Sequence, residues 1–164
     1  MSAHGLTQPK TLDDMLLYRL WQVQTRAGRG VNRLCEVEFG ITRREWRVLA
    51  QLAQGDGLQS SALAERAELD RAQTSRAVTR LTGKRLLARM PRPGNRREVA
   101  LHLTDQGRAL YAALLPRVAQ LNRELMSVLT AAEADAFEDA LARLRDKAES
   151  MFRAAPGSDT DDLD

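Results

Sequence analysis

LQSSALAERAELDRAQTSRAVTRLTGKRLLARMPRPGNRREVALHLT, residues 58–104, holds two short helical patterns joined by a tight turn, followed by a basic hairpin. In Ser60–Ala67 the apolar Leu63 and Ala67 stand four apart on one face, and Glu65 and Arg66 fall on the other. Glu68-Leu69-Asp70 breaks this pattern. Asp70 is placed to cap a second helix from Arg71, accepting the Gln73 N–H while the Gln73 amide reaches back. Along that helix Thr74, Val78 and Leu81 recur at core spacing, which leaves Arg71, Gln73, Ser75, Arg76, Arg80 and Lys84 on other faces. Leu87–Met90 is strand-compatible, Pro91–Asn95 is turn chemistry, and Val99, Leu101 and Leu103 alternate onto one face of a return strand.

Helix, turn, helix and hairpin in that order predict a winged helix-turn-helix. The exposed set on the second helix has the donors that phosphates and major-groove base edges accept, and Arg92, Arg96 and Arg97 at the hairpin tip suit a narrow minor groove. A solvated basic loop is the plainer reading of the hairpin alone. Charge favours the DNA reading: Thr42–Leu103 carries 13 Lys+Arg against 6 Asp+Glu, whereas the whole chain has a net charge of only +3. Such a local surplus suits a surface that displaces counterions from a polyanion. It would also suit an anionic membrane, but no basic amphipathic helix of interfacial type accompanies it.

At these residues the chain resembles the MarR family of winged-helix transcription regulators. Leu63-Ala64-Glu65-Arg66, Leu69-Asp70-Arg71, Thr74-Ser75-Arg76 and Leu81 are similar to the family's paired helices. Asn95, Arg97, Leu101, Leu103 and Thr104, followed by Asp105-Gln106-Gly107-Arg108, are similar to its wing signature. Two positions depart from the pattern. Asn95 stands where the family usually has Asp, and Arg85 where it often has a helix-ending Gly, so a left-handed backbone there would be costly. The resemblance spans roughly residues 12–153.

The 164 residues, 43% hydrophobic and 29% charged, suffice for one domain with a real core. No apolar run approaches the roughly 20 residues of a membrane span and no signal-peptide pattern opens the chain, so a cytoplasmic protein is expected. The single cysteine, Cys35, fits a reducing compartment. Leu12, Leu16, Leu20, Val23, Ala27, Val31 and Leu34 predict one long first helix despite Gly28 and Gly30. Thr42-Arg43-Arg44-Glu45 is a capping box opening a helix to about Gln54. A helix from about Thr104 to Leu129 is interrupted by Pro116, which should kink it, and Thr130-Ala131-Ala132-Glu133 caps a final helix.

The expected fold is therefore mainly α (α+β): a winged helix-turn-helix with long N- and C-terminal dimerisation helices. The expected divisions are a flexible start at 1–11, a single domain at 12–155 and a disordered acidic tail at 156–164. Within the domain, 42–103 would bind DNA and 12–38 and 104–155 would dimerise. The terminal helices carry more apolar surface than a small winged domain covers, which predicts a homodimer in preference to a closed monomeric bundle. The resemblance implies the same, with the first, fifth and sixth helices at the interface.

Two recognition helices about one turn of DNA apart would read a pseudo-palindromic operator in double-stranded DNA. Arg80, Lys84 and the start of the supporting helix would set register on phosphates. Gln73, Ser75 and Arg76 would reach bases and Arg97 the minor groove, so that a bound dimer blocks a promoter. The resemblance further implies release by a small aromatic carboxylate or phenolic effector. Tyr18, Arg19, Trp21, Arg26 and Arg33 are the candidates, since a ring beside guanidinium groups suits such an acid. Helical aromatics are more commonly core, Trp46 above all.

Two other regulators or modules fit parts of the pattern. Cys35 invites a cysteine-based redox sensor, although a lone helical Cys is usually packing. A DNA-free protein-interaction module on a winged-helix scaffold would be expected to have lost the exposed basic set, which is intact here. An enzyme is not expected: His4 and His102 are the two histidines, and there is no Cys/His metal spacing, phosphate loop or nucleophile elbow. No metal and no cofactor are expected.

Overall fold

Local side-chain caps at Thr42, Asp70, Thr104 and Thr130 fix where α2, α4, α5 and α6 start. The computed structural model describes residues 5–92 and 95–153, with side chains described except at 92, 95–98 and 152–153. The order is α1 (Leu16–Arg33), α2 (Arg43–Gln54), α3 (Ser60–Ala67), α4 (Arg71–Gly83), β1 (Leu87–Arg92), β2 (Asn95–Leu103), α5 (Asp105–Met126) and α6 (Ala131–Arg153). This is a mainly helical winged helix-turn-helix, as expected. The chain divides into two compact units, Met1–Asn122 and Arg123–Asp164. The expected acidic tail lies outside the described residues.

The first helix is not the single run that its apolar spacing predicts. Leu12–Asp14 forms a separate 3-10 turn, Met15 is extended with ψ 128°, and α1 begins at Leu16. The physical reason is local. Asp14 Oδ2 accepts the Thr11 N–H at 3.0 Å, the Lys10 N–H at 3.1 Å and the Thr11 hydroxyl at 2.9 Å. A carboxylate that gathers these donors closes a turn of its own and fixes the chain before α1. These bonds hold the Asp14 carboxyl below its ordinary value, with the Lys10 N–H contributing most, then the Thr11 hydroxyl and N–H. At the other end α1 passes into a π turn, Leu34–Glu38, in which Leu34 and Cys35 are buried.

α2 begins where the capping box places it: the Glu45 N–H donates to Thr42 Oγ1 and the Thr42 N–H to Glu45 Oε2. Its Trp46, Val48, Leu49 and Leu52 enter the core with Leu63, Ala77, Val78, Leu81, Leu86, Leu101, Leu103 and Leu114. Trp46 stacks on Tyr111 of α5 at 5.5 Å and is core.

β1 and β2 pair antiparallel from Leu87↔Leu103 to Pro91↔Val99, with an irregularity between Pro91 and Arg92. Leu58 adds a bridge to Leu101, whose N–H donates to the Leu58 carbonyl. Leu101 and Leu103 are buried as their alternation predicts. Val99 shares their face but is exposed, because it lies farther out along the hairpin than the core reaches.

α5 starts at a crowded joint. Thr104 Oγ1 accepts the Gly107 N–H and donates to the Arg85 carbonyl at 2.7 Å, and the Thr104 N–H donates to the Leu86 carbonyl. α5 continues through Pro116. In the second unit α6 has its predicted cap, with Glu133 Oε2 accepting both the N–H and the hydroxyl of Thr130. No described helix is long and apolar enough to cross a membrane.

Candidate nucleic-acid interface

The turn between α3 and α4 is made by a residue type that rarely adopts its backbone angles. Glu68 is left-handed at φ 48° and ψ 52°. Its N–H donates to the Glu65 carbonyl and the Leu69 N–H to the Ala64 carbonyl, the paired bonds of a Schellman ending. Arg47 of α2 braces it, donating to the carbonyls of Ala67 and Glu68. α4 ends the same way at Arg85, φ 58°, with the Leu86 N–H on the Leu81 carbonyl. The position where the family often places Gly is thus left-handed here too. A β-carbon in that region costs roughly 1–2 kcal/mol, which the ending bonds and the burial of Leu86 against Leu81 offset.

Asp70 caps α4 through the Gln73 N–H. Of the reciprocal bonds expected at this cap, this forward bond is the one formed. Thr74, Ala77, Val78 and Leu81 are buried, so the helix is fixed in rotation, and Arg71, Ser75, Arg76 and Arg80 are exposed with Gln73 half-buried. Arg71, Arg76 and Arg80 have no carboxylate within ion-pair distance among the described residues. Their guanidinium groups are therefore open to an external anion.

Lys84 is differently placed from the rest of the predicted set. Its Nζ donates to Glu45 Oε2 at 2.9 Å and to the Gly40 carbonyl at 2.8 Å. Glu45 is 1% exposed, so this ion pair ties the end of α4 to the start of α2. Sequence reading saw Glu45 only as half of a cap, and the lysine that neutralises it lies 39 positions away.

On the wing, β2 carries Arg96 and Arg97, whose side chains, with that of Arg92, lie outside the described residues. Its base is anchored by Asp56, which accepts from the Leu103 N–H and from Arg108 and lies 3.4 Å from His102 Nδ1. Burial pushes the Asp56 carboxyl up, but the bonds from Arg108, His102 and the Leu103 N–H outweigh it and hold it below its ordinary value. His102 thus has a structural partner. Among the described residues no group of His, Cys, Asp and Glu is arranged to hold a metal ion.

The predicted effector residues on α1 are only partly together. Tyr18 and Trp21 stack at 5.6 Å, and Trp21 is 57% exposed, so it is not core within the chain. Arg19 is committed elsewhere, with its Nε on the Asp13 carbonyl and an ion pair to Asp14. Arg26 donates to the Gln22 carbonyl one turn back, and Arg33 is exposed at the end of the helix.

Cys35 is fully buried. Burial pushes its thiol up, with Glu36 in the same direction and Arg43 opposing. Redox sensors need an accessible, thiolate-prone sulfur, and the site gives neither, which corrects the redox reading.

The MarR family's sequence model matches residues 39–98, the segment from the end of the π turn through α2, α3, α4 and most of the wing. The chain is 28% identical over 130 residues to the HTH-type transcriptional regulator YdgJ of Bacillus subtilis, covering 77% of this chain and 76% of that one. Residues 39–98 thus carry the MarR family's sequence pattern, and along most of its length the chain is similar to transcriptional regulators. Its fold matches the PcaV transcriptional regulator of Streptomyces coelicolor, solved with its natural ligand, at a TM-score of 0.71 and 27% identity over 90% of this chain and 99% of that one. It is also 30% identical over 93 residues to the HTH-type transcriptional repressor NicR of Pseudomonas putida, covering 57% of this chain and 59% of NicR. MarR proteins are DNA-binding transcription regulators and not enzymes.

Proposed function

We propose that this chain is a homodimeric MarR-family repressor that binds a pseudo-palindromic operator through α4 and the wing and is released by a small aromatic acid. The observation that carries the reading is the rotation of α4. Its apolar stripe is locked into the core while Arg71, Arg76 and Arg80 stand exposed and unpaired among the described residues. Gln73, Ser75 and Arg76 face the bases, Arg71 and Arg80 the phosphates, and Arg96 and Arg97 the flanking minor groove. Lys84 acts through the ion pair that holds α4 in place.

Dimerisation by residues 12–38 and 104–155 is supported by apolar side chains left exposed in the single chain: Leu17, Trp21 and Val23 on α1, Leu125 on α5, and Phe137, Leu141 and Leu144 on α6. The protein works in the cytoplasm, where the operator is. NicR's name as a repressor and PcaV's bound natural ligand support repression and ligand release. The stacked Tyr18–Trp21 pair with Arg26 and Arg33 is the reading's effector site, and Arg19 holds the start of α1.

Anisotropy titration against fragments from the source genome tests this reading. A palindromic fragment should bind far more tightly than random duplex, with affinity falling steeply as salt rises. Arg76→Ala should relax preference at one base per half-site, and Arg97→Ala should weaken binding where the minor groove is narrow. Equal affinity for all duplexes would refute operator recognition and favour a protein-interaction module. Calorimetry with benzoates, nicotinates and hydroxycinnamates, on the native chain and Trp21→Ala, tests the effector.

A further inference from the structure

The rotation of α4 also decides which of its side chains stand farthest from the core. A helix turns about 100° per residue, so the direction opposite Thr74, Ala77, Val78 and Leu81 falls within about 30° of Ala72, Arg76, Thr79 and Gly83. All four are exposed. Ser75 lies to one side of them. Gln73 and Arg80 lie to the other, at the edge of a cleft between α2 and α4 that Arg44 and Arg47 also line. The outermost part of α4 is thus one guanidinium group with a methyl-bearing residue on either side of it, and Gly83 adds no side chain.

The three threonines of α4 are not alike. Thr74 and Thr82 donate their hydroxyls to the carbonyls four residues back, those of Asp70 and Val78, each at 2.8 Å. Thr79 makes no side-chain hydrogen bond among the described residues and is exposed. Its hydroxyl is not drawn down onto its own helix, so the whole side chain is available to a surface that approaches α4.

The chemistry of these side chains selects what they can read. A methyl makes no hydrogen bond, and the apolar group that base edges offer in the major groove is the C5 methyl of thymine. A guanidinium group pairs with O6 and N7 of guanine. From Ala72 to Thr79 the axis rises about 10 Å, which is about three base-pair steps of about 3.4 Å each. One helix face can therefore touch two thymines with a guanine between them.

We propose that Ala72 and Thr79 are specificity-determining residues of α4, each packing its methyl against a thymine on either side of the guanine read by Arg76. The inference deepens the operator recognition proposed above and rests on it. It adds a base preference that neither charge nor hydrogen bonding supplies.

Anisotropy titration of the native chain on its operator, with each thymine of one half-site replaced in turn by deoxyuridine, tests the proposal. The exchange removes the methyl and leaves base pairing and every hydrogen-bonding group in place. Burial of one methyl corresponds to about a fourfold change in affinity, so two thymines of the half-site should each show a loss of that size. Thr79→Ser, which keeps the hydroxyl, should abolish the loss at one of them, and Ala72→Gly at the other. Thr79→Val keeps a methyl and removes the hydroxyl, and should preserve both losses. Uracil tolerated at every position, or a loss that Thr79→Val abolishes, overturns the proposal. A loss that persists in Thr79→Ser or in Ala72→Gly overturns the role of that residue. A native chain that binds all duplexes alike overturns operator recognition itself, an outcome distinct from a selective chain that is indifferent to the methyls.

Discussion

Gly107 lies against the Leu86 carbonyl so closely that a β-carbon on it would stand 2.1 Å from that oxygen. The obstacle is backbone, and the same joint holds Thr104, so nothing at hand can yield. Gly107→Ala should cost about 3 kcal/mol, the upper end of overpacking losses. Gly30→Ala is the contrast: its β-carbon would meet only Leu121 methyls at 3.7 Å and 3.8 Å, and a helical Gly→Ala change gains about 0.5–1 kcal/mol. Urea denaturation of both variants at one protein concentration checks the opposite signs.

Lys84→Ala should destabilise the fold by about 1–3 kcal/mol, because it leaves the buried Glu45 carboxylate without its counter-charge, discounted for the partly exposed lysine. The double variant Lys84→Met with Glu45→Gln should recover much of the loss. If Lys84 instead touched DNA and did nothing for the fold, Lys84→Ala would unfold like the native protein and bind operator more weakly.

Much of the helix-turn-helix was legible because its determinants are local. Asp70 with Gln73, Thr42 with Glu45 and Thr130 with Glu133 each act within one turn, and each cap stands where its spacing places it. The break before α1 was equally local, but the Thr11–Asp14 turn was hidden under the apolar spacing of Leu12, Leu16 and Leu20. Pairings across the fold were not legible. Lys84 with Glu45, Asp56 with Arg108, and the cleft between α2 and α4 join residues tens of positions apart, and no periodicity encodes such contacts.

Asp56 gives the fold a dependence on acid. Its folded carboxyl titrates below the unfolded one, so its stabilisation is present above the unfolded value, near 3.8, and is lost as pH falls through the lower folded value. Asp56→Asn should cost about 1 kcal/mol or less at neutral pH, given its partial exposure. It should also flatten the stability profile below pH 4. Thermal unfolding of both proteins between about pH 3 and 7 measures the difference.

Cys35 should be inert in the folded chain. Ellman's reagent at pH 8 should find no fast thiol until denaturant is added, and Cys35→Ala should leave DNA affinity insensitive to peroxide exactly as the native chain is. Rapid native labelling would restore the oxidation-sensing reading.

The joint at Thr104 leaves no slack between the end of α4 and the start of α5. Arg85 and Leu86 are bolted to Thr104 through two hydrogen bonds, and Gly107 is wedged beneath them. From Asp105 to Asn122 α5 is a rod of about 27 Å. Turned about its far end by roughly 5°, such a rod carries the tail of α4 some 2 Å sideways, enough to break a hydrogen bond made by a donor there. The long helix is thus joined to α4 without slack, and under the function proposed above a push at its far end would be delivered to the operator.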